Sequence, residues 1–326
     1  MQGKEPLEQA ANTKCTVGID TSKAWLDGHV LPDERYLRVP NTAEGIRKLK
    51  RWIAGFDPAL VVIEATGKWH RQVQRSLYAS NIPITVADPY RVRMFAKARG
   101  ILAKTDRIDA RVLALFGLMM SPQLRAPAPE AMDELKEIVV ARESAVAEQT
   151  SLKNQLAAGT CTFIKRHLQR RIARLRKDIE ALEREILKRI RVDEGLAGRY
   201  AILTSIPSFG FVVAATLLVC LPELGDCNAK EVAMLTGLAP IANDSGERKG
   251  VRIVRGGRPA LRRILYLAAV SATRSNPDGK AFYRRLTTAG KPAKVALIAL
   301  ARKLVILANA LITENRVWQS EAPKHP

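Results

Sequence analysis

Leu60-Val61-Val62-Ile63-Glu64 is an uninterrupted apolar run that ends on a carboxylate. A continuous apolar run of this length is typical of a strand that is buried on both faces of a sheet. Further upstream, Cys15-Thr16-Val17-Gly18-Ile19-Asp20 alternates like a strand and also ends on an acid. Because a lone buried carboxylate is energetically costly, such groups are normally ion-paired, hydrogen-bonded or bound to a metal. The two runs therefore predict a sheet whose strand ends carry a polar or metal-binding site.

The segments around these two runs predict the rest of an N-terminal α/β region. Three further strands are expected at Trp25–Leu31, Tyr36–Val39 and Pro83–Ala87. Asn41-Thr42-Ala43-Glu44 is typical of a helix N-terminus, and a second helix is expected from about Trp69 to Ala79. The order of three strands, helix, strand, helix, strand and helices predicts a mixed α/β fold with acids at strand ends.

Lys104-Thr105-Asp106-Arg107-Ile108-Asp109-Ala110 begins a predicted helix that runs from Asp106 to Met120. Side chains three positions apart share a helix face, so Asp106 and Asp109 point the same way, away from the apolar stripe of the helix. Two interpretations stay open for this pair. Acids are favoured at a helix N-terminus by the macrodipole, and two acids on one face also suit a metal site.

Four acids from separate segments form the oxygen-rich set that a divalent-metal nuclease site needs. They are Asp20, Glu64, Asp106 and Asp109. No histidine or cysteine cluster accompanies them in the sequence, and hard oxygen ligands suit Mg²⁺ or Mn²⁺. Two such ions about 4 Å apart would hold and polarise a phosphate ester. The alternative is that neighbouring lysines pair with the acids, namely Lys23, Lys68 or Lys104.

The charge of the chain indicates a polyanionic partner. The 326 residues carry a formal net charge of +21 at pH 7, and the pI is about 10.2. A surplus of this size favours nucleic acid before a membrane surface, and a merely solvated basic surface is the alternative. Binding to nucleic acid is expected to weaken with salt, because each neutralised phosphate releases about one counterion.

The cysteines and the apolar segments bear on the compartment. The four cysteines are scattered and form no Cys-x-x-Cys pair, so neither a zinc site nor a disulfide framework is expected. Residues 1–14 are polar and contain no apolar core of a signal peptide. The longest apolar stretches, such as Phe211–Leu221, are taken to be shorter than the ~20 residues that span a bilayer. We therefore expect a cytoplasmic protein with no membrane partner.

Ala126-Pro127-Ala128-Pro129 is a linker, after which the composition changes. Between residues 130 and 190 there is no proline, and the only glycine is Gly159. Apolar residues recur there at helical spacing and predict two long helices with a break near Ala157–Cys161, either as an antiparallel pair or as a coiled coil across subunits. The second helix is rich in arginine, and we interpret its basic face as a phosphate-binding surface rather than a merely solvated one.

A polar, glycine-rich loop separates apolar helices in the C-terminal third. Its sequence is Asn243-Asp244-Ser245-Gly246-Glu247-Arg248-Lys249-Gly250, and Arg252 and Arg255-Gly256-Gly257-Arg258 follow. Helices are expected again from Pro259 and from Lys291 to about Thr313. The loop is either a solvated turn or the support of a serine, Ser245, displayed beside arginines. Arginine stabilises the charge that develops when a serine attacks phosphorus.

Two sets of motifs resemble the DEDD-type insertion-sequence transposases, the one-ten insertion-sequence family, which is related to the Piv-type DNA invertases. The N-terminal set is Gly18-Ile19-Asp20, Ile63-Glu64-Ala65-Thr66-Gly67, Phe95-Ala96-Lys97-Ala98-Arg99-Gly100 and Lys104 to Ala110. The C-terminal set is Gly237-Leu238-Ala239-Pro240, Asp244-Ser245-Gly246, Arg255-Gly256-Gly257-Arg258, Leu265-Tyr266, Asn276-Pro277 and Gly290-Lys291 to Lys303-Leu304. The glycine pair and Leu-Tyr resemble the subgroup with short subterminal inverted repeats. Lys68-Trp69 and Asp88 depart from the family pattern, but neither belongs to the four acids.

The resemblance covers about residues 14–315 and implies three regions. These are a RuvC-like domain of α/β RNase H-type fold at 14–125, a helical coiled-coil linker at 130–197, and a mainly α-helical C-terminal transposase domain with the serine loop at 199–315. The four acids would be the tetrad that binds Mg²⁺, with Mn²⁺ as the alternative ion. Ser245 would be the nucleophile that joins covalently to a DNA 5′ phosphate.

The resemblance also implies the partners of the chain. The two sites would combine in trans in a homo-oligomer, from a dimer to a tetramer. A structured bridge RNA, encoded by the element, would pair with donor and target DNA and set the specificity. The candidate nucleic-acid-binding residues are Lys104, Arg107, Arg170, Arg171, Arg174, Arg248, Arg252, Arg255 and Arg258.

We therefore expect a DNA transposase/recombinase that performs RNA-guided strand cleavage and exchange through a 5′-phosphoserine intermediate. Two alternatives stay open. One is a metal-dependent junction-resolving nuclease with water as the nucleophile and Ser245 as a bystander. The other is a non-catalytic nucleic-acid-binding protein.

Overall fold

The computed structural model describes residues 15–65, 67–242, 244–245, 250 and 252–319. The chain divides into two units, one ending at Ala128 and the other beginning at Pro129. The boundary falls within the Ala-Pro linker. The long helices and the C-terminal helices belong to the same unit, and the predicted division of that unit between residues 197 and 199 stays a prediction.

The described part of the first unit contains a mixed sheet. Its strands are β1 (Thr16–Thr21), β2 (Trp25–Leu31), β3 (Arg35–Pro40), β4 (Leu60–Glu64) and β5 (Ile84–Ala87). The strands lie in the order β3-β2-β1-β4-β5. β4 pairs in parallel with β1 and β5, whereas β2 pairs antiparallel with β1 and β3. The predicted mixed α/β layout is thus confirmed, with the continuous apolar run at β4 in the interior of the sheet.

Helices cover both faces of this sheet. They are α1 (Ala43–Ala54), α2 (Arg71–Tyr78), α3 (Pro89–Ala98) and α4 (Asp106–Met120). Ile19 and Ile63 pack on one face with Leu49 of α1. On the other face, Val62 packs with Leu113 and Phe116 of α4. Because apolar side chains leave β4 on both faces, its sequence shows no polar alternation.

The approach of α4 to β1 depends on Gly18. A Cβ at Gly18 would lie 2.0 Å from the backbone oxygen of Ala110 and 2.3 Å from the backbone nitrogen of Ala114. Any larger residue would therefore push the helix off the strand. Beside this contact, Thr16 Oγ1 donates a hydrogen bond to the carbonyl oxygen of Ala114 at 3.2 Å. The contact fixes how far the first turn of α4 stands from the end of β1.

The second unit begins with two long helices, α5 (Glu130–Ala158) and α6 (Thr162–Val192). The break between them falls where the sequence predicts it. They pack against each other as an antiparallel pair within one chain, with ion pairs from Arg142 to Glu183 at 2.7 Å and from Arg171 to Glu148 at 2.9 Å. Of the two arrangements left open by the sequence, the intrachain pair is therefore present.

The remaining elements of the second unit are mainly helical, as predicted. They are α7 (Glu194–Ser205), α8 (Phe211–Cys220), α9 (Ala229–Leu235), β6 (Pro240–Ile241), β7 (Ile253–Val254), α10 (Pro259–Ser275), α11 (Pro277–Thr288) and α12 (Ala293–Thr313). The two short strands β6 and β7 form an antiparallel ladder that flanks the serine loop. Helix α12 packs against α7, α9, α10 and α11.

The expectation that every apolar stretch is too short to cross a bilayer was wrong for α12. This helix has 21 residues, and a window of 18 of them has a mean hydropathy of 2.1, which suffices by length and composition. Its buried residues include Leu300, Leu304 and Leu311, which belong to the core of the second unit. Its apolar character is therefore accounted for, at least on that face, by packing against neighbouring helices.

Candidate active site

All four predicted acids line one cleft in the first unit. Asp20, Glu64, Asp106 and Asp109 surround a cavity of about 310 Å³, which we call the acidic cleft. Its described lining also contains the cations Arg93, Lys97 and Lys104. Residues that are up to 89 positions apart in the chain thus share one small space, which the spacing of the sequence could only suggest.

The ends of two parallel strands supply the first two acids. Ile19 of β1 pairs with Ile63 of β4, and the next residue on each strand is Asp20 or Glu64. Neighbouring strands lie about 4.8 Å apart, so the two carboxylates leave the sheet side by side. Both strands run in the same direction, which is why both acids fall at the same edge of the sheet.

The first turn of α4 supplies the other two acids. The side chain of Thr105 accepts a hydrogen bond from the backbone N–H of Ile108 and caps the helix. Asp106 and Asp109 follow within that turn, where negative charge is favoured by the helix dipole. The dipole interpretation and the metal interpretation of these acids therefore apply to the same residues and do not exclude each other.

The carboxylates in the cleft are electrostatically coupled. Burial raises the pKa of Asp20 to about 6, and the negative charges of Asp109, Glu64 and Asp106 add to that increase. Burial also raises the pKa of Glu64, as does the charge of Asp109, while Lys104 acts in the opposite direction. The pKa of Asp109 is raised by burial and lowered in part by Lys104. The acids repel one another, and the nearby cations Lys104 and Arg93 offset this only partly.

This donor set fits a hard divalent cation. The described residues that line the cleft offer carboxylate oxygens and include no histidine or cysteine, and oxygen ligands suit Mg²⁺ and Mn²⁺. In the described part of the chain, no group of three acidic, histidine or cysteine side chains lies close enough together to coordinate one metal ion. Since like charges separate when no cation lies between them, the carboxylates would have to move inward on binding.

One arginine that the sequence did not identify touches the site. Arg38 Nη2 lies 3.0 Å from Oδ2 of Asp106, and Arg38 Nε lies 3.6 Å from the buried carboxylate of Asp27. Asp27 accepts a short hydrogen bond from the hydroxyl of Tyr36 and faces Asp20 across the β1–β2 ladder. An ion pair, the alternative to a metal site for these acids, is thus present at Asp106, with an arginine in place of a lysine.

Two further cations of the cleft, Arg93 and Lys97, come from α3. Lys97 lies in one of the motifs that resemble the family, but neither residue was predicted as part of the site. A signal for this helix was available, because Asp88 precedes Pro89 and its side chain accepts a hydrogen bond from the backbone N–H of Arg91. An acid directly before proline is a typical helix start. The sequence alone did not indicate which face of α3 lies against the four acids.

Ser245 lies in the loop between β6 and β7 and is exposed. The preceding residue, Asp244, is held by Arg252, whose Nη1 lies 2.7 Å and 2.8 Å from the two carboxylate oxygens. Asp244 also accepts a hydrogen bond from the backbone N–H of Gly250 at 3.0 Å. These contacts cross-link the two sides of the loop directly beside the serine. Arg248, the other predicted arginine of this loop, lies outside the described residues.

The other predicted nucleic-acid-binding residues differ in their surroundings. Arg170, Arg174 and Arg255 are exposed, Arg107 lies over the ring of Tyr36 at 5.0 Å, and Arg171 pairs with Glu148. Arg258 has both an ion-pair partner and a backbone partner: its guanidinium pairs with Glu223 at 2.6 Å and donates a hydrogen bond to the carbonyl oxygen of Cys220 at 2.8 Å. Their contacts with nucleic acid stay predictions.

Two family models match the chain. Residues 17–159 match a DEDD transposase model named for IS110 and described as Transposase. Residues 200–284 match a second model, described as Transposase IS116/IS110/IS902 family. The first match contains all four acids of the cleft, and the second contains Ser245. Together they cover more than half of the sequence.

Curated proteins with related sequences fall into two groups. The pilin gene-inverting protein of Moraxella bovis is 26% identical over 314 residues, which is 93% of this chain and 97% of that protein. An uncharacterized 42 kDa protein of insertion element IS900 from Mycobacterium paratuberculosis is 32% identical over 45% of this chain and 38% of that protein. An uncharacterized 43.6 kDa protein of insertion element IS110 from Streptomyces coelicolor is 32% identical over 37% of this chain and 31% of that protein.

Proposed function

The chain belongs to the IS110 family of transposases and acts in DNA transposition and recombination, and we propose that its acidic cleft and Ser245 together carry out strand cleavage and exchange. The observation that carries this proposal is the convergence of Asp20, Glu64, Asp106 and Asp109 on one cleft. We further propose that the first unit is a RuvC-like domain of RNase H-type fold. Its mixed sheet, with acids at two parallel strand ends, supports that assignment.

In the proposed reaction, the hydroxyl of Ser245 attacks a DNA phosphorus atom. A bond forms between Oγ and phosphorus, the bond from phosphorus to the 3′ oxygen breaks, and the serine proton is lost while the leaving 3′ oxygen gains one. The product is a 5′-phosphoserine intermediate and a free 3′ hydroxyl. The exposure of Ser245 and the nearby guanidinium of Arg252 support this role, because arginine stabilises developing phosphate charge.

In the same proposal, the four carboxylates of the acidic cleft hold Mg²⁺ or Mn²⁺. Such an ion supplies Lewis-acid polarisation of a phosphate ester when it is bound. The donor chemistry and the raised pKa of Asp20 support this assignment, because a cation would relieve the repulsion among the acids. Arg38 would have to release Asp106 as the carboxylates move inward.

We also propose that a structured guide RNA, the bridge RNA, directs the chain to its DNA sites, and that the cleft and the serine combine in trans in a dimer or tetramer. The net charge of +21 supports a large polyanionic ligand. The exposed arginines of α6, Arg170 and Arg174, offer a surface for its phosphates. Sequencing the RNA that copurifies with the protein, expressed together with its element, tests this part directly.

The chemical part is tested with a DNA substrate that carries the junction of the element. Wild-type protein is expected to form a covalent protein–DNA adduct with Mg²⁺, and the adduct should be absent from Ser245→Ala and from Asp20→Asn. Ser80→Ala, which changes another exposed serine on the surface of the first unit, is the matched control and should keep the adduct. Adduct that persists in Ser245→Ala rules out this serine as the nucleophile.

The ends of the cleaved DNA separate the two alternative functions. Blocked 5′ ends support attack by serine, whereas free 5′ phosphates in both the wild type and Ser245→Ala support a metal-dependent nuclease that uses water. Binding without any cleavage, equal in wild type and Asp20→Asn, supports a non-catalytic nucleic-acid-binding protein.

A further inference from the structure

Helix α12 is apolar on two opposite faces, and only one of them is fully buried. Leu300 and Leu304 pack into the core of the second unit. A second stripe, Val295, Ile298 and Ile306, lines an open groove; Ile298 and Ile306 are partly buried against the core, and Val295 is 52% exposed. A helix that is apolar all round is normally covered on all sides. The second stripe therefore indicates that something apolar lies against it in the working complex.

This groove is large enough for a small planar group. Its volume is about 560 Å³, which falls in the range of pockets that bind small molecules and cofactors. Phe282 of α11 forms another wall, and Pro240 and Val254 close the side formed by β6 and β7. We call this cavity the apolar groove.

The rim of the apolar groove is positively charged. Its described lining includes four cations and no acidic residue; the cations are Arg252, Lys294, Arg302 and Lys303. Arg302 Nε is buried and has no hydrogen-bond partner among the described residues. Buried donors of this kind are normally satisfied, so Arg302 keeps one N–H donor for which an anionic acceptor in the groove would be a partner. Lys303 Nζ lies 5.0 Å from the centre of the Phe282 ring.

Apolar walls under a cationic rim suit a nucleotide, because a base has an apolar face and a phosphate carries the negative charge. The hairpin that carries Ser245 also builds the groove: β6 contributes Pro240, β7 contributes Val254, and Arg252 lines the groove while holding Asp244. A nucleotide in the groove would therefore lie next to the stretch of nucleic acid that reaches the serine loop. This continuity favours DNA over RNA as the source of the nucleotide.

We infer that the apolar groove binds one unstacked nucleotide of the DNA strand that Ser245 attacks. The base lies against Phe282 and Ile298, and the adjoining phosphate is bound by Arg302 and Lys294. Taking one base out of the stack fixes the register of the strand relative to the serine loop and loosens the duplex beside the scissile phosphate. The inference rests on the proposed function, because it takes the serine loop as the site of attack.

Photo-crosslinking tests the inference without relying on catalysis. The probe is a single-stranded DNA of about twelve nucleotides, a length within the site size of single-strand binders, in which 5-iodo-deoxyuridine replaces thymidine. It is irradiated with the full chain, and the crosslinked peptides are identified by mass spectrometry. Crosslinks to Phe282 or to residues 294–306 support the inference. Crosslinks found only elsewhere overturn it.

Three variants sharpen the result. Ala299→Trp fills the groove and is expected to lower crosslinking there by roughly tenfold. Arg302→Gln removes the positive charge but keeps a polar side chain, and is expected to lower crosslinking by roughly threefold. Leu267→Trp changes an exposed apolar residue of α10 outside the groove and should leave it unchanged. If Ala299→Trp does not fold, judged by its melting temperature, Arg302→Gln decides. Full crosslinking in Arg302→Gln overturns the proposed phosphate contact.

Two comparisons exclude other occupants. An RNA probe of the same length that crosslinks in the groove as well as DNA overturns the assignment to DNA. A change of oligomeric state in Ala299→Trp, seen by sedimentation, overturns it in favour of a second copy of the chain. Two readouts separate this inference from the proposed function: groove crosslinking in Ser245→Ala and adduct formation in the wild type. If Ser245→Ala still crosslinks in the groove but the wild type forms no serine adduct, the groove assignment stands and the serine mechanism is ruled out.

Discussion

Arg38 on β3 places its Nη2 3.0 Å from Oδ2 of Asp106 in the first turn of α4. A guanidinium therefore neutralises one acid of the cleft from the side of the sheet, while the other three acids face one another. The same side chain reaches the buried Asp27 at 3.6 Å and stacks over Trp25 at 5.0 Å. Arg38 is thus held in place by several contacts, of which the one with Asp106 is the most exposed.

Replacing Arg38 by alanine should tighten metal binding, because Asp106 then has no competing cation. The pair is solvent-exposed and such pairs contribute little free energy, so we expect the Kd for Mn²⁺ to fall by about two- to fivefold. Titration by electron paramagnetic resonance or calorimetry measures this. Arg35→Ala removes the same charge from an exposed position on the same strand and should have less effect. Weaker binding in Arg38→Ala would instead mean that Arg38 positions Asp106 for the ion.

Metal binding should weaken in acid as Asp20 becomes protonated. Its pKa is about 6 in the metal-free protein, chiefly because of burial, and only the carboxylate form is a ligand. From pH 7 to pH 5 the Kd for Mn²⁺ should therefore rise by about tenfold. Glu44→Gln, at an exposed acid of α1, is a control that should not alter this profile. A flat profile between these pH values would contradict the raised pKa.

Asp20→Asn should stabilise the metal-free protein above pH 6. The pKa of Asp20 is raised from 3.8 to about 6 on folding, so the contribution of this group is most favourable below pH 3.8 and is lost as the pH rises through about 6. At pH 8 the ionised group opposes folding, and removing its charge should gain about 1 kcal/mol after solvent screening. Melting curves in EDTA measure the gain, and added Mg²⁺ should reverse the order of the two proteins.

Gly18→Ala should destabilise the first unit and disturb the cleft together. The added Cβ would meet backbone atoms of Ala110 and Ala114 at 2.0 Å and 2.3 Å, and backbone cannot move aside as a side chain can. We expect a loss of about 2 to 4 kcal/mol in the free energy of unfolding. Gly198→Ala, inside α7 with no atom within 4 Å of the new Cβ, should instead gain about 0.5 to 1 kcal/mol. Equal stability of the two variants would contradict the close packing of α4 on β1.

Arg258 and Arg255 should differ in what their removal changes. Arg258 is bound by Glu223 and the carbonyl oxygen of Cys220, so Arg258→Ala should lower stability by about 1 to 3 kcal/mol. Arg255 is exposed, so Arg255→Ala should leave stability unchanged and reduce the salt dependence of DNA binding by about one counterion. Thermal melts and binding at several salt concentrations separate the two effects. Loss of the salt dependence in Arg258→Ala alone would reverse these roles.

The sequence predicted the elements of the first unit better than their contacts. β4 was recognisable from its apolar run, and α4 from its capped start and apolar stripe, because both signals are local. Arg38 was missed because its approach to Asp106, 68 positions away, depends on the register of β3 on β2 and on the position of α4 on the sheet. Strand register of this kind follows from the packed core and cannot be inferred from one strand alone.

In the second unit, too, the helices could be predicted from the sequence but the contacts between distant residues could not. The break between α5 and α6 was evident from the proline-free, periodic sequence that flanks it. The pairing of Arg258 with Glu223, 35 positions upstream, was not evident, so a glycine-flanked arginine pointed first to nucleic acid. The length of α12 was predicted, but its apolar character was missed because Lys294, Arg302 and Lys303 interrupt what is otherwise an apolar helix.

The contact of α4 with Gly18 also orders events during synthesis of the chain. Asp20 and Glu64 are in place once the first four strands have paired, but Asp106 and Asp109 join them only when α4 has left the ribosome and docked. Until then the nascent polypeptide carries half of the carboxylates, and Ser245 is more than a hundred codons further on. Since domains generally fold from the N-terminus during translation, an unfinished chain lacks the complete set of groups that we propose to act in DNA cleavage.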